Sequence, residues 1–183
     1  MKYEIDVCGL KREVPIYPLN EKLSIAPFVI FGDVELTVHS AQELVKRMPA
    51  CDYLIAPEAK AIPLVYEMSK LSGVHYFLAR KKAKFYMSGV FEVKVQSITT
   101  SGEQTLIVDQ ADADAMKGKR IVIVDDVIST GESLNAVEKL VQAAGGNIVA
   151  KMAILAEGDS FDRTDITVLG KLPLFTPDGK PLE

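Results

Sequence analysis

Cysteine is nearly missing from this sequence. Only Cys8 and Cys51 occur in 183 residues, with no Cys-x-x-Cys pair and two scattered histidines, His39 and His75. That supply excludes a zinc framework and a disulfide scaffold, and it points to a reducing, cytoplasmic setting. Long hydrophobic runs are missing too. The longest charge-free stretches, 23–32 and 140–150, fall short of the ~18 apolar residues that a membrane helix requires. The opening Met1-Lys2-Tyr3-Glu4-Ile5-Asp6 places acids where a signal peptide would carry its apolar region. Excess positive charge is absent: 21 Lys and Arg against 25 Asp and Glu leave a net charge of −4. A general nucleic-acid binder is therefore not expected, and any anionic ligand needs a local cluster of cations. Repeats, low-complexity blocks and Gly/Ser linkers are also lacking, so residues 1–183 read as a single domain with one core.

What is present alternates between strand and helix patterns. Residues 3–7 and 13–17 read as short strands with Lys11-Arg12 near their turn, and the compact apolar run Phe28-Val29-Ile30-Phe31 reads as another. Ser40-Ala41-Gln42-Glu43 has capping-box spacing and predicts a helix start, which Pro49 ends. Residues 53–56 read as a buried strand, 63–73 as a helix opened by Pro63 and closed by Gly73, and 75–79 as the next strand. Residues 91–95 and 105–108 form a hairpin-like excursion with a polar tip at 99–103. Ile121-Val122-Ile123-Val124 is the strongest strand, four β-branched residues in a row as for a strand buried on both faces. Leu134, Val137, Leu140, Val141 and Ala144 then give a helical stripe, and 148–155 a further strand. The fold class expected is α/β, an open, mostly parallel central sheet flanked by helices. In such sheets ligands sit beyond the carboxyl ends of the strands.

One of those ends is rich in chemistry. After Ile121-Val122-Ile123-Val124 come Asp125-Asp126, two apolar residues, then Ser129-Thr130-Gly131 opening into a helix. Unpaired amides at a helix start favour an anion, Gly131 permits close approach, and Ser129, Thr130 and Ser133 offer hydroxyls, so the turn suits a phosphate. Carboxylates would repel that phosphate but would grip a neighbouring diol, and together the two features describe a ribose 5-phosphate site. The alternative reading is that Asp125 and Asp126 only cap the following helix. No GxxxxGK[ST] and no strand-following GxGxxG is present.

The run Val-Ile-Val-Asp-Asp-Val-Ile-Ser-Thr-Gly-Glu-Ser resembles the signature of the type I phosphoribosyltransferases. The resemblance implies that Asp125 and Asp126 hold the ribose hydroxyls. It also implies that Val127, Ile128, Ser129, Thr130, Gly131 and Ser133 wrap the 5-phosphate of phosphoribosyl pyrophosphate. Glu58, Ala59, Lys60 and Ala61 look like the family's pyrophosphate loop, although members usually carry glycine where Ala61 stands. Arg80-Lys81-Lys82-Ala83-Lys84 resembles the basic strand end of the purine branch. A basic run also reads as a solvated patch; its place after a strand, on the same edge as the acids, favours a part in offsetting the leaving diphosphate. The resemblance spans roughly 52–157 and is closest to adenine and xanthine phosphoribosyltransferases. It further implies an N-terminal hood over about 1–38, a core over about 40–170, and a flap over about 85–108 that lacks a clean Tyr/Glu pair.

The activity implied is transfer of 5-phosphoribosyl to a purine, adenine favoured, in purine salvage, with Mg²⁺ bound mainly through pyrophosphate and a homodimer as the assembly. Phe28, Val29 and Ile30 from the hood, and Phe161 past the last strand, are candidate walls for the base, though each also reads as ordinary core. Neutralising a departing diphosphate and aligning base with sugar are electrostatic and positional tasks, so no nucleophile is required. Four readings compete: a xanthine or guanine enzyme, a non-catalytic sensor of phosphoribosyl pyrophosphate, a member that keeps the ribose signature but has lost catalysis, and a scaffold without a ligand.

Overall fold

Strand and helix follow one another along nearly the whole chain, and the computed structural model describes residues 1–96 and 103–182. An antiparallel hairpin opens it, β1 (Lys2–Val7) against β2 (Leu10–Pro15). The turn is Cys8-Gly9, both at positive φ, with the Gly9 amide donating to Asp6 Oδ1 at 2.7 Å. Lys11 and Arg12, expected near the turn, therefore lie inside β2. A two-residue ladder joins β3 (Tyr17–Pro18) to β4 (Ser24–Ile25). The run 28–31 is not a strand. Phe28 and Ile30 are buried while Val29 and Phe31 are about half exposed, the alternation of a strand, but no described strand pairs with it.

Helix α1 (Val34–Arg47) begins well before the Ser40 box. Asp33 caps it, accepting from the Leu36 amide at 3.0 Å, and Arg12 Nε braces that carboxylate at 2.6 Å. Ser40 instead lies fully buried within the helix. Leu36 continues the apolar stripe of Ala41 and Leu44 back past Ser40, and packing of that stripe outweighs the local cap signal. The chain then runs through β5 (Tyr53–Pro57), α2 (Ile62–Ser72) and β6 (Tyr76–Ala79). Gly73 closes α2 in the left-handed conformation expected of a helix-ending glycine.

The excursion is a hairpin of β7 (Val90–Gln96) and β8 (Glu103–Asp109), paired from Val90 opposite Asp109 to Gln96 opposite Glu103. Of the expected polar tip, 99–102 lies outside the described residues. A short α3 (Gln110–Met116), capped by Asp109, was not anticipated. β9 (Arg120–Ile128), α4 (Glu132–Ala143) and β10 (Asn147–Glu157) come next. A 3₁₀ turn (Gly158–Asp162) leads to β11 (Thr167–Leu172), a strand the sequence reading missed.

Five strands form one parallel sheet in the order β11-β10-β9-β5-β6. Alternation along β9 sends Val122 and Val124 into the layer of α1 and α2, with Leu44, Leu64 and Met68. Ile121 and Ile123 enter the opposite layer, with Leu134, Val137 and Leu140 of α4 and with Val95, Leu106 and Val108 of the β7–β8 hairpin. Both faces are covered, as a parallel sheet requires. At one edge Gly170 lets β1 approach: a Cβ there would stand 2.9 Å from the Asp6 carbonyl oxygen. No described helix is long and apolar enough to cross a membrane.

The shifted start of α1 has opposed consequences at two residues. Asp33→Ala should lower unfolding stability by about 1 kcal/mol. Ser40→Ala should be neutral or stabilising, because the Ser40 hydroxyl is buried with no hydrogen-bond partner. Urea denaturation of the two variants checks both signs; a loss at Ser40 matching that at Asp33 would restore the capping box.

Candidate active site

β9 carries Asp125 and Asp126 while still paired with β10, Asp125 opposite Ala153 and Val127 opposite Leu155. The acids are therefore inside a central strand rather than after it. They are only 7% and 3% exposed. Neither caps α4, whose N-cap is Gly131 with no side-chain cap bond, so the helix-cap alternative is removed. Asp125 Oδ1 accepts from the Asp126 amide at 2.8 Å. Burial first, and then the adjacent Asp126 charge, push the Asp125 carboxyl well above its ordinary value.

Asp126 meets a cation from another element. Lys60 Nζ lies 2.9 Å from Asp126 Oδ2, yet that oxygen has no directed hydrogen bond. The two side chains differ sharply in setting: Lys60 is half exposed and Asp126 4% exposed. Lys60 belongs to the loop between β5 and α2. The Glu58 amide pins its start by donating to the Ala79 carbonyl at 2.9 Å, and a cis peptide joins Glu58 to Ala59. Ala61 caps α2 at φ −75° and is buried, so an alanine occupies this position without conformational cost. Arg80 continues from β6 and donates through Nη1 to Glu58 Oε1 at 3.2 Å. Its backbone is bridged to Ile107 of β8, so it ties the β7–β8 hairpin to the pyrophosphate-loop candidate. Lys81 and Lys82 are exposed on the same loop end.

The turn after β9 closes around a small cavity of about 80 Å³, lined by Asp125 and by Val127, Ile128, Ser129, Thr130, Gly131, Glu132, Ser133 and Leu134. Gly131 is favoured by its backbone, and a Cβ there would also displace the tip of a flexible side chain. Its φ is +80°, and a Cβ would sit 2.8 Å from Arg163 Nη1. Ser129 turns its hydroxyl to Glu157, donating to Oε2 at 2.5 Å, and Ser160 in turn donates to the Ser129 carbonyl. A second cavity, about 350 Å³, adjoins the turn and is lined by Ser129, Thr130, Glu157, Gly158, Asp159, Ser160, Arg163 and Leu174.

The residues expected to wall a base site line neither of these two cavities. Phe28 packs in the core and Val29 is more than half exposed. Ile30 is buried beside the start of α1. Phe161 is partly exposed, its ring 5.7 Å below the Lys171 ammonium, and it does not line the larger cavity. Sequence reasoning missed Glu157 and Arg163, which do. Glu157 is the last residue of β10, a strand end like that of β9, and that position was its available signal. Arg163 is held by Asp165 through Nε at 2.9 Å and Nη2 at 2.8 Å, and no periodic pattern marks it.

Two consequences can be measured. Asp125 has its folded-state pKa raised above the ordinary 3.8, so its effect favours folding at acid pH and is lost as pH rises through the raised value. Asp125→Asn keeps the oxygen that accepts from Asp126 and removes the buried charge. It should raise the melting temperature at neutral pH and narrow the gap between neutral and mildly acid melting temperatures; an unchanged or lower neutral value would contradict this. Gly131→Ala should cost about 1–2 kcal/mol from the left-handed backbone alone, read as a lower urea midpoint.

A family model for the phosphoribosyl transferase domain matches residues 43–168. A hypoxanthine/guanine phosphoribosyltransferase of Methanococcus voltae is 28% identical over 158 residues, covering 77% of this chain and 81% of that protein. An adenine phosphoribosyltransferase of Thermosipho africanus is 29% identical over 166 residues, covering 88% and 93%. Among solved structures, adenine phosphoribosyltransferase from Thermoanaerobacter pseudethanolicus superposes with a TM-score of 0.71 at 23% identity, over 87% of this chain and 95% of that one. The Saccharomyces cerevisiae enzyme gives 0.65 at 19% identity, over 85% and 92%. With the family model spanning more than half of its length and the parallel sheet matching these folds, the chain belongs to the phosphoribosyltransferase family, in the purine branch of its type I members.

Proposed function

We propose that this protein transfers the 5-phosphoribosyl group from phosphoribosyl pyrophosphate to a purine, adenine first, releasing pyrophosphate and a nucleoside 5-monophosphate. One observation supports this reading above the others: two adjacent carboxylates buried in β9, beside a helix-opening turn whose cavity suits a phosphate. In the reaction the C1–oxygen bond breaks with its electron pair leaving on the diphosphate. A purine ring nitrogen forms the new bond to C1 and gives up its proton. Asp125 and Asp126 hold the sugar hydroxyls and favour the positive charge that develops on the ring. Amides and hydroxyls of residues 127–133 hold the monoester, and Lys60, Arg80, Lys81 and Lys82 face the leaving group.

The residues present fit magnesium carried by the substrate: Asp126 Oδ2 is a buried carboxylate oxygen without a directed donor. Asp125 and Asp126 would stand beside such an ion. When bound, it supplies charge neutralisation to the diphosphate. A homodimer completes the reading, supported by the exposed Phe31, Val34 and Tyr66 around the junction of α1 and α2. A cytoplasmic setting suits the free Cys8 and Cys51.

Glu157 is a candidate contact for the base. It lines the larger cavity, and a carboxylate can only accept. Adenine can donate to it through its 6-amino group, 6-oxopurines through N1–H, and guanine also through its 2-amino group, so the preference for adenine rests on the likeness to adenine enzymes rather than on Glu157. The archaeal hypoxanthine/guanine relatives favour guanine or hypoxanthine as a second reading. Pyrophosphate release with adenine, guanine, hypoxanthine and xanthine decides. Adenine should give the highest kcat/KM, and Glu157→Ala should lower that value about tenfold, the size of one lost hydrogen bond to a charged group. A faster reaction with hypoxanthine would overturn the adenine assignment, and binding of phosphoribosyl pyrophosphate without any turnover would favour the sensor.

A further inference from the structure

On the functional reading above, the Lys60–Asp126 pair has a consequence for what the site retains. We propose that Lys60 competes with the sugar for Asp126, so that the site favours a phosphoribosyl group still carrying its diphosphate over one that has lost it.

The geometry sets up the competition. Lys60 Nζ stands 2.9 Å from Asp126 Oδ2, the distance at which a sugar hydroxyl would donate to the same oxygen. That carboxylate is buried and lies beside a second one, so in the absence of sugar the ammonium is the charge that offsets it. A sugar entering the clamp must displace Lys60. With phosphoribosyl pyrophosphate the displaced ammonium, on its flexible four-carbon stem, regains an anionic partner in the diphosphate. With ribose 5-phosphate or a nucleoside 5-monophosphate it regains none. Lys60 therefore strengthens binding of the first ligand and weakens binding of the others. By linkage, pyrophosphate bound beside a monophosphate relieves the competition and tightens it.

The test is calorimetric titration of wild type, Lys60→Ala and Lys60→Arg with phosphoribosyl pyrophosphate plus Mg²⁺, and with ribose 5-phosphate. Ribose 5-phosphate is titrated with and without inorganic pyrophosphate. Lys60→Ala should bind phosphoribosyl pyrophosphate about tenfold more weakly and ribose 5-phosphate about two- to fivefold more tightly. The tightening of ribose 5-phosphate by pyrophosphate should be present in wild type and Lys60→Arg and lost in Lys60→Ala. Weaker binding of both ligands by Lys60→Ala would overturn the proposal and leave the function standing, since Lys60 would then be a general attractor of anions. Failure of wild type to bind either ligand would overturn both.

Discussion

Two carboxylates side by side in the central strand of a parallel sheet are the constraint around which this protein is arranged. Each is more than nine-tenths buried, and the Asp126 charge adds to the burial that raises the Asp125 carboxyl. Apolar residues at the same positions would extend the packing of Ile121, Val122, Ile123 and Val124 without that burden. The two side chains meet, and one cation acts on both: Lys60 lies 2.9 Å from Asp126 Oδ2 and its charge also reaches Asp125. What relieves Asp126 is Lys60, reaching in from a loop on a different strand. Asp125 takes a proton more readily and leans on the backbone amide of its neighbour.

Strand order turns that local strain into a site. β5, β6, β9 and β10 run parallel, so Pro57, Ala79, Ile128 and Glu157 all end at one edge of the sheet. The loops that leave from those ends carry Lys60, Arg80, the Ser129-Thr130-Gly131 turn and the 3₁₀ segment. Arg80 also fastens the β7–β8 hairpin through Ile107, which places that hairpin over the same edge. At the opposite end Asp52 and Arg120 lock the starts of β5 and β9 together, with Arg120 holding the Asp52 carboxyl down to about 2. One end of the sheet is thus pinned by a surface ion pair, and the other holds the buried acid pair.

Much of this was legible because burial on both faces writes an unmistakable pattern. Ile121-Val122-Ile123-Val124 could only be a central strand, and the acids, hydroxyls and glycine that follow carried the family resemblance. The family followed from those residues, and the purine branch from the resemblance of Arg80-Lys81-Lys82-Ala83-Lys84 to that branch's basic strand end. Misreadings arose where local and tertiary signals conflict. Ser40 satisfies a capping pattern yet is buried by the stripe that runs on to Leu36, and residues 28–31 alternate like a strand without a ladder partner. β11 was missed because its sequence, Thr-Val-Leu-Gly-Lys-Leu, is only half apolar, as suits an edge strand that β1 covers at Gly170. Glu157 and Arg163 were invisible for a different reason. Each is an ordinary charged residue until the chain brings it beside Ser129 and Gly131.

Central to the proposed function is the acid pair's grip on sugar hydroxyls while the adjoining turn holds the monoester. A crystal structure of the protein with phosphoribosyl pyrophosphate and Mg²⁺ tests it directly. The expected result has both ribose hydroxyls within hydrogen-bond distance of Asp125 and Asp126, the 5-phosphate on the amides of residues 129–133, and Lys60 withdrawn toward the diphosphate. A sugar bound elsewhere, with Lys60 still seated on Asp126, would contradict it.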